Sequence, residues 1–499
     1  MKTRLFFLSI AIAATVVIAS CGKDFLDVPV QGQSLPENDP DFARNLVTGT
    51  YNALINTDGW GRDIHGLMFV IATNIRSDDA DKGSTPGDFG PASEIENFTL
   101  TPANSVVNSL WSGHYNAINV ANRALENLPD AAVDEAQKAR LIAEVRFIRA
   151  YLYFNLVRYF GNIPLITRVP TDNIDANSAE FVTQVGPQEV YDFVIEDLEY
   201  AVANLPLKGQ TEVGRATKGA AQSMLAKVYM YTPTPDWQRV YDLTKEVMNS
   251  GVYGLTPEYA DIWREVGENN IESIWEIQTG ETAACNGGIY NYAEFQGPRA
   301  GFARGWSDLG WGFGGPSQNL VNAYEQGDKR RAATVIEIDN DGTILWDGTR
   351  VPSKDSVENN YYNYKAYHST TRETYCGDRG RMPKNIRILR YADVLLMNAE
   401  AAFNLNKPDE AKDIINDIRE RAGLGTLASL NMNAIWKERR LELALEHDRF
   451  FDLVRQGRVG EVMRAAGFTN FTDDKHELLP IPSAQIELSG GQLEQNPNY

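Results

Sequence analysis

The sequence predicts a mainly α-helical protein with a loop-rich, partly β insertion in its second half. In several stretches of 42–250, on either side of a mixed segment at 56–91, and again over 386–457, apolar residues recur at steps of three and four, the period of an amphipathic helix. Between these blocks, Gly, Tyr, Trp and Asn become common and the helical period disappears. We therefore divide the chain into a signal peptide (1–20), a helical region (21–250), an irregular region (251–385) and a second helical region (386–499).

The chain begins MKTRLFFLSIAIAATVVIASC, which has the three parts of a secretory signal peptide. Lys2 and Arg4 are positive, an apolar run extends to Ile18, and the small residues Ala19 and Ser20 follow. The apolar run is short for a membrane-spanning helix, which needs roughly 20 residues. This segment is therefore predicted to direct export.

Cys21 follows the small residues, and IASC resembles a bacterial lipobox with Ile18 where Leu is usual. In such a signal the chain is cut before the cysteine, which is lipidated and acylated, and more than one acyl chain gives stable anchoring. The following CGKDFLD resembles the surface-export signal of Bacteroidetes lipoproteins. We expect a lipid anchor at Cys21 in the outer membrane, exposed at the cell surface. The alternative is a plain signal peptide with a coincidental cysteine.

Two further cysteines, Cys285 and Cys376, lie in Gly-containing loop sequence. An exported protein meets an oxidising compartment, which permits a disulfide. Two free or buried thiols are the alternative, because the distance between them cannot be read from the sequence.

The negative net charge of the chain indicates which classes of partner it can bind. The chain has 47 Lys and Arg against 67 Asp and Glu, a formal net charge of −20. A chain this acidic repels phosphate backbones, and no basic stripe with interleaved aromatics occurs. Nucleic acid is therefore not an expected partner.

Individual helices can be placed by periodicity and breakers. A helix is predicted over 42–54, and a second over SLWSGHYNAINVANRALENLP stops at Pro129. DEAQKARLIAEVRFIRAYLYFNLVRYFG predicts an amphipathic helix with Leu141, Val145 and Ile148 on its apolar face, ended by Gly161. Further helices are predicted within 186–206, 215–235, 236–253, 385–423 and 433–457. TVIEIDNDGTILWDGTRV alternates and turns at Asp-Gly, which predicts a β-hairpin.

Two helix pairs resemble each other. The segment 389–423 is a helix, a short turn and a second helix, with small residues where the two helices approach, and 220–253 repeats this layout. Units of about 34 residues with this pattern resemble tetratricopeptide repeats. The alternative is a generic α-helical domain.

Several segments together resemble the SusD/RagB family of outer-membrane nutrient-binding lipoproteins. They are CGKDFLDVP, LWSGHYNAINVAN, EVRFIRAYLYFNLVRYFGNIPLIT, LRYADVLLMNAEAAFNLNKPDEAKDIINDIRERAG, WKERRLELALEHDRFFDLVRQGR and LLPIPSAQIELSGGQLEQNPNY. The resemblance implies four tetratricopeptide-like helix pairs, a loop-rich binding part and no catalytic activity. It also implies a glycan ligand, or a peptide in some members, and a SusC-like TonB-dependent transporter as partner.

No motif for catalysis or for a cofactor stands out. Glu442 and Glu446 are four apart on one helix, flanked by Arg439, Arg440 and Arg449, and we expect an ion-pair network rather than a catalytic carboxylate pair. The five histidines are scattered, without the spacing of a zinc site. We predict no enzyme activity and no cofactor.

A calcium loop is also disfavoured. EIDNDGTILWDG places Asp339, Asp341 and Gly342 as in such a loop, but Gly348 stands where a bidentate Glu is needed. A hairpin turn is the favoured interpretation, and no metal site is predicted.

Aromatic side chains concentrate in GGIYNYAEFQGPRAGFARGWSDLGWGFGGP, a segment too glycine-rich for a regular element. Sugars bind largely by laying C–H faces on rigid aromatic rings, with polar groups at the rim. The predicted glycan-binding residues are Trp306, Trp311, Tyr290, Tyr292 and Phe295, with Asn291, Arg304 and Asp308 as polar neighbours. An early loop is predicted to add Trp60, Asp78, Asp79 and Phe89. For Trp311 a structural role as a plug is the alternative.

The favoured function is capture of an oligo- or polysaccharide at the cell surface for delivery to the transporter. The same fold binding peptides or another nutrient, a tetratricopeptide scaffold for protein partners, and a hydrolase are the alternatives, in that order.

Overall fold

The structure is a computed structural model, which describes residues 40–55, 62–279, 285, 291–300 and 308–499. Within these ranges, none of the helices combines the length and the hydropathy that crossing a membrane requires.

Helices make up most of the regular structure. They are α1 (Pro40–Ala53), α2 (Leu67–Val70), α3 (Gly90–Glu96), α4 (Ser105–Asn127), α5 (Glu135–Phe160), α6 (Ala179–Val182), α7 (Pro187–Asn204), α8 (Lys218–Tyr231), α9 (Trp237–Asn249), α10 (Asn291–Gln296), α11 (Gln318–Ala323), α12 (Lys329–Thr334), α13 (Tyr391–Asn404), α14 (Pro408–Arg421), α15 (Met432–Glu442), α16 (Arg449–Arg455), α17 (Val459–Ala465) and α18 (Ser483–Leu488). The strands are β1 (Ala80–Gly83), β2 (Ile163–Pro164), β3 (Gln184–Val185), β4 (Ser273–Ile277), β5 (Phe313–Pro316), β6 (Val335–Glu337), β7 (Thr343–Ile344), β8 (Arg350–Val351), β9 (Tyr361–Asn363) and β10 (Ile386–Arg390).

Eight helices form a frame of four packed pairs: α1 with α4, α5 with α7, α8 with α9, and α13 with α14. Adjacent pairs are joined by contacts of α4 with α5, α7 with α8, and α9 with α13. The predicted mainly α-helical fold is confirmed. The two helix pairs that resemble each other in sequence are neighbours in the frame, although the whole irregular region lies between them in the chain.

Local sequence signals begin and end these helices. The side chains of Asn104, Asp134 and Thr217 accept hydrogen bonds from backbone N–H groups in the first turns of α4, α5 and α8. Pro187 and Pro408 occupy first-turn positions of α7 and α14, where the missing N–H costs nothing. Gly161, at a φ of 71°, ends α5.

Helix α5 lies at the centre of the frame and is less amphipathic than the sequence predicts. Phe147, Tyr153 and Asn155 lie off the predicted apolar stripe but are buried too, because α5 contacts α1, α4, α7 and α8. A charged residue is accommodated there by pairing, since Arg149 Nε lies 2.8 Å from Asp197 Oδ2 of α7.

The predicted hairpin over 334–351 is only partly correct. Strand β6 pairs with β9, placing Ile336 opposite Tyr362, and not with β7. The hairpin is the shorter β7–β8 pair, whose turn contains Asp347 and Gly348, with a φ of 89° at the glycine. Strand β6 therefore does not fold back at Asp341-Gly342. It pairs with the distant β9 because Ile336 and Tyr362 join a buried apolar cluster.

The single helix predicted over 433–457 is two helices, α15 and α16. The connecting residues Leu445 and His447 have φ values of 63° and 75°, a left-handed conformation that a non-glycine residue adopts only at a cost. The turn directs Glu446 and His447 inward, where both have partners. Those contacts offset the strain.

Glu442 and Glu446 belong to an ion-pair network, as predicted, but their partners are different. Arg390 Nη1 lies 2.7 Å from Glu442 Oε1 and 2.6 Å from Glu272 Oε1, and its Nε lies 2.6 Å from Glu446 Oε2. Arg421 pairs with both Glu442 and Glu272. We call Glu272, Arg390, Arg421, Glu442 and Glu446 the central charge cluster.

The three arginines expected to flank these glutamates bind aspartates instead. Arg439 pairs with Asp393 and Asp452. Arg440 and Arg449 both pair with Asp78, at 2.9 and 2.8 Å. The helical period correctly places these residues near one another, but their side chains point to different parts of the fold.

Replacing Glu442 by Gln should destabilise the protein by about 3–5 kcal/mol, because buried arginines would lose a counter-charge. Burial opposes ionisation of Glu442, but Arg421, Arg390 and Arg330 outweigh it and hold its pKa well below the usual range. A depressed pKa stabilises the folded state above the unfolded-state pKa of about 4.3 and loses that effect as the pH falls below it. The difference in unfolding free energy between wild type and variant should therefore shrink under acid.

Urea titrations at several pH values measure this difference in unfolding free energy, with the exposed Glu420→Gln as control. Equal stability of the two variants at pH 7 would contradict the prediction.

Candidate ligand-binding surface

An antiparallel strand pair joins the two loops that the sequence analysis singled out. Strand β1 of the early loop pairs with β5 of the glycine-rich segment, with Ala80 opposite Pro316 and Gly83 opposite Phe313. Ser317 extends the junction by donating from its backbone N–H to Asp79 O at 2.9 Å. The prediction that both loops contribute to one region is consistent with this pairing.

Glycine is needed where the glycine-rich segment crosses itself. Trp311 N donates to Glu294 O at 2.7 Å, and Leu309 N donates to Pro298 O at 2.8 Å. A Cβ on Gly310 would lie 2.5 Å from Gly297 N, closer than real Cβ atoms approach a neighbour. The crossing therefore requires glycine and fixes Trp311 beside α10.

Trp311 is half-buried, and its ring packs against one of the predicted aromatics. The rings of Phe295 and Trp311 meet edge to face, with centroids 5.1 Å apart and an interplanar angle of 64°. The Trp311 side chain also hydrogen-bonds the Glu294 carboxylate. Trp311 is therefore held firmly while part of its indole remains accessible.

Tyr292 and Phe295 lie beneath this surface, with 7% and 8% of their area exposed. Tyr292 Oη lies 3.0 Å from His447 Nε2, and His447 Nδ1 lies 2.8 Å from Thr73 Oγ1. Burial lowers the pKa of His447 to about 3, so the imidazole is neutral and can accept one hydrogen bond while donating another. These contacts attach α10 to the core, so Tyr292 and Phe295 support the surface from below.

One side of Trp311 carries polar groups from α10 and from a turn, Arg379–Arg381. Asn291 Nδ2 lies 3.4 Å from Glu294 Oε2, and a Cβ on Gly380 would lie 3.1 Å from the same oxygen. Burial and the nearby charge of Asp378 raise the pKa of Glu294. This side offers carboxylate, amide and guanidinium groups.

A disulfide lies just before that turn in the chain. Cys285 and Cys376 are bonded, which decides the alternative that the sequence left open. The Arg381 guanidinium also donates to Cys285 O at 2.7 Å. Cys285 is thus joined to the segment of the polar turn by one covalent bond and one hydrogen bond.

A second polar group lies at the backbone of Trp311. The Arg299 guanidinium pairs with Asp88, donates to Ser84 Oγ at 2.5 Å and approaches Trp311 O at 3.4 Å. Asn359 Nδ2 lies 3.4 Å from Ser84 O. The half-exposed Trp311 therefore has one polar group at its indole, through Glu294, and another at its backbone, through Arg299.

The remaining predicted residues fall into three classes. Asp78 and Asp79 are 2% and 1% exposed and are bonded to Arg440 and Arg449, so they fasten β1 to the C-terminal helices and do not face solvent. Phe89 is half-buried, and Asp308 is exposed with its carboxylate accepting from Ala300 N. Residues Cys21, Trp60, Tyr290, Arg304 and Trp306 lie outside the described residues.

Sequence reasoning missed Glu294, Arg299 and Asn359 as neighbours of Trp311. Charged and amide residues are common along the chain, and none of these stands in a motif. The glycines at 297 and 310 were a usable signal, because close backbone crossing is a main reason for glycine outside turns.

Comparison with known proteins shows the family. A model described as "SusD family" matches residues 271–499, and one described as "Starch-binding associating with outer membrane" matches residues 71–230. A SusD-like protein of Bacteroides ovatus is 30% identical over 491 residues, covering 91% of this chain and 82% of the relative. This chain belongs to the SusD family.

Other SusD relatives agree in length and shape. A SusD-like protein of Formosa agariphila is 28% identical, with 91% of each chain covered. A solved structure titled "Laminarin binding SusD-like protein" is 30% identical, with a TM-score of 0.75 over 92% of this chain and 99% of that one. Surface glycan-binding protein A from Bacteroides fluxus is 26% identical, with a TM-score of 0.76 over 92% and 99%. The predicted family and fold are confirmed.

Gly310→Ala should displace Trp311 and destabilise this SusD-family protein by about 1–3 kcal/mol, because the added methyl group has no room at the crossing. Gly87→Ala is the matched control, since a Cβ there meets nothing within 4 Å. Thermal unfolding measures the stability, and near-ultraviolet circular dichroism reports the tryptophan environment. Identical melting temperatures for the two variants would refute the close crossing.

Proposed function

We propose that this protein is a cell-surface lipoprotein that binds glycans on the surface around Trp311 and delivers them to a SusC-like TonB-dependent transporter. The observation that carries the proposal is the half-exposed indole of Trp311, with one polar group at the indole and a second at the Trp311 backbone. One group is Asn291, Glu294 and the Arg379–Arg381 turn, and the other is Arg299 and Asp88.

This arrangement suits a sugar for two physical reasons. A rigid ring offers a wide contact to the C–H face of a sugar at a low cost in side-chain entropy. The surrounding carboxylate, amide and guanidinium groups can each hydrogen-bond hydroxyl groups. Backbone hydrogen bonds fix the crossing that carries Trp311, so little ordering of the indole is needed on binding.

Relatives support the ligand class. The 30%-identical structure is titled as laminarin-binding, and one matching family model is described as starch-binding. Laminarin and a starch-type glucan are therefore the first probes, with other polysaccharides to follow. We propose binding without turnover, so the bound glycan should be recovered intact.

The anchor and the partner complete the proposal. The signal peptide with Cys21 at its end supports a lipid tether to the outer membrane. A tethered binding protein raises the local concentration of its ligand next to a transporter in the same membrane.

Trp311→Ala should weaken binding of the glycan that the wild type retains by more than about tenfold, since central aromatic contacts often contribute about 2 kcal/mol or more. Affinity electrophoresis in gels containing laminarin, starch or other polysaccharides measures retardation. Trp237→Ala, on helix α9 of the frame, is the matched control and should be retarded as the wild type is. Unchanged retardation of Trp311→Ala would reject this surface, and release of shorter sugars by the pure protein would reject the absence of turnover.

A large β-barrel transporter should co-purify with the tagged full-length chain from detergent-solubilised outer membranes of the native host. Cys21→Ser removes the acceptor for lipid and should shift the chain from the membrane fraction to the soluble fraction. Mass spectrometry of the purified complexes checks the first expectation, and fractionation checks the second. Purification of the membrane-bound chain without any barrel protein would reject the partner.

A further inference from the structure

Apart from the surface around Trp311, the irregular region contains a basin lined by other residues. It has a volume of about 740 Å³ and is lined by the 260–266 segment, by Trp346 of the β7–β8 hairpin and by the 372–374 loop. Ligand sites for small molecules have volumes of about 300–1,000 Å³. The basin is therefore large enough for a sugar and much larger than a free inorganic anion needs.

Two guanidinium groups lie against the indole of Trp346. The Arg264 guanidinium carbon is 4.7 Å from the Trp346 ring centroid and 4.7 Å from that of Tyr364. The Arg372 guanidinium carbon is 5.9 Å from the Trp346 ring. The backbone N–H of Trp346 donates to Tyr364 Oη at 2.7 Å, which ties the backbone of the hairpin to the tyrosine.

Neither guanidinium has a carboxylate within ion-pair distance among the described residues. Arg264 is only 7% exposed, and its one hydrogen bond there is a long contact of 3.5 Å from Nη1 to Tyr364 O. Two other buried arginines differ, since Arg330 and Arg390 each have two or more carboxylate partners. Burial of a cation is costly and lowers the pKa of Arg264, and the nearby charges of Glu373 and Asp261 oppose this only in part.

The nearby glutamates are already occupied by the backbone. Glu265 accepts from Thr374 N at 2.6 Å and from Thr374 Oγ1 at 2.7 Å. Glu373 accepts from Glu265 N and Ser369 N, both at 2.7 Å. These bonds brace the two loops that line the basin. Asp261 is exposed at the rim and can accept from hydroxyl groups.

We propose that this basin binds an anionic sugar residue, whose carboxylate or sulfate group is held by Arg264 and Arg372 beside Trp346. Guanidinium groups match the planar geometry of carboxylates and form charge-assisted hydrogen bonds with oxyanions. The size of the basin and its aromatic wall accommodate the rest of the sugar. This site is distinct from the Trp311 surface and extends the proposed function to acidic polysaccharides.

Ligand-observed NMR titrations of the full chain with four probes test the proposal. The probes are sodium glucuronate, glucose 6-sulfate, sodium acetate and glucose, all at matched ionic strength. Glucuronate or glucose 6-sulfate, or both, should bind more tightly than acetate and glucose, since only these carry both an anion and a sugar. Binding by one of the two identifies the anion, and binding by neither overturns the proposal.

Arg372→Gln should weaken binding of the anionic sugar by about tenfold, the loss expected for one charge-assisted interaction. Arg372→Lys keeps the charge without the planar fork and should be intermediate. Arg350→Gln, an exposed arginine on strand β8, is the matched control and should bind as the wild type does. Equal affinity of Arg372→Gln and Arg350→Gln overturns the proposal.

The Trp311→Ala variant separates this proposal from the preceding one. It should bind glucuronate or glucose 6-sulfate as tightly as the wild type does. Loss of that binding in Trp311→Ala would place the anionic sugar on the Trp311 surface and overturn the second site. Loss of laminarin or starch binding alone would leave it standing.

Discussion

The arrangement of the irregular region on the helical frame depends on buried, paired charges. The central charge cluster joins Glu272, directly before β4, to Arg390 at the end of β10, to Arg421 at the end of α14 and to Glu442 at the end of α15. Lys365 of the irregular region adds a contact of 2.7 Å to Glu446. Removing such charges from water costs several kcal/mol per ion, and this is offset only when each group finds a partner in good geometry.

Paired charges give this junction a direction that apolar packing does not supply. Apolar surfaces attract without a preferred orientation, whereas an arginine bound by two or three carboxylates has few alternatives. Asp78 is a second case of a buried charge with two partners. It pairs with Arg440 and Arg449 and so attaches β1 to the C-terminal helices. Since β1 pairs with β5, the position of Trp311 is tied through these contacts to the helices at the other end of the sequence.

The sequence predicts the frame well because its signals are local. Periodicity of three and four residues, capping side chains and first-turn prolines each act within one helix. Helices α5, α7, α8, α9, α13 and α14 lie within the predicted segments, and α4 begins four residues before its predicted segment. The irregular region is different. Its strands have two to five residues, and β1 finds its partner β5 more than 200 residues away, so no local pattern encodes the pairing. The misassigned hairpin shows the same limit, since β6 binds β9 across an intervening hairpin.

The candidate binding surface is predicted in part for a related reason. Composition draws attention to the aromatic, glycine-rich segment, but it cannot tell which rings face inward. Tyr292 and Phe295 do so because α10 is attached to the core through His447, a contact across more than 150 residues. For Trp311 the two interpretations are compatible, since the same indole plugs the crossing and remains half-exposed.

The two proposed sites are connected through one stretch of chain. Arg372 and Thr374 line the basin, Tyr375 is 39% exposed, Cys376 forms the disulfide, and Asp378 lies near Glu294 beside Trp311. From Thr374 to Asp378 an extended chain spans at most about 14 Å, so the two sites are near neighbours. A polysaccharide exceeds this distance, and simultaneous contact with two linked sites raises affinity by effective concentration. The short connection therefore keeps both sites within reach of a single glycan chain.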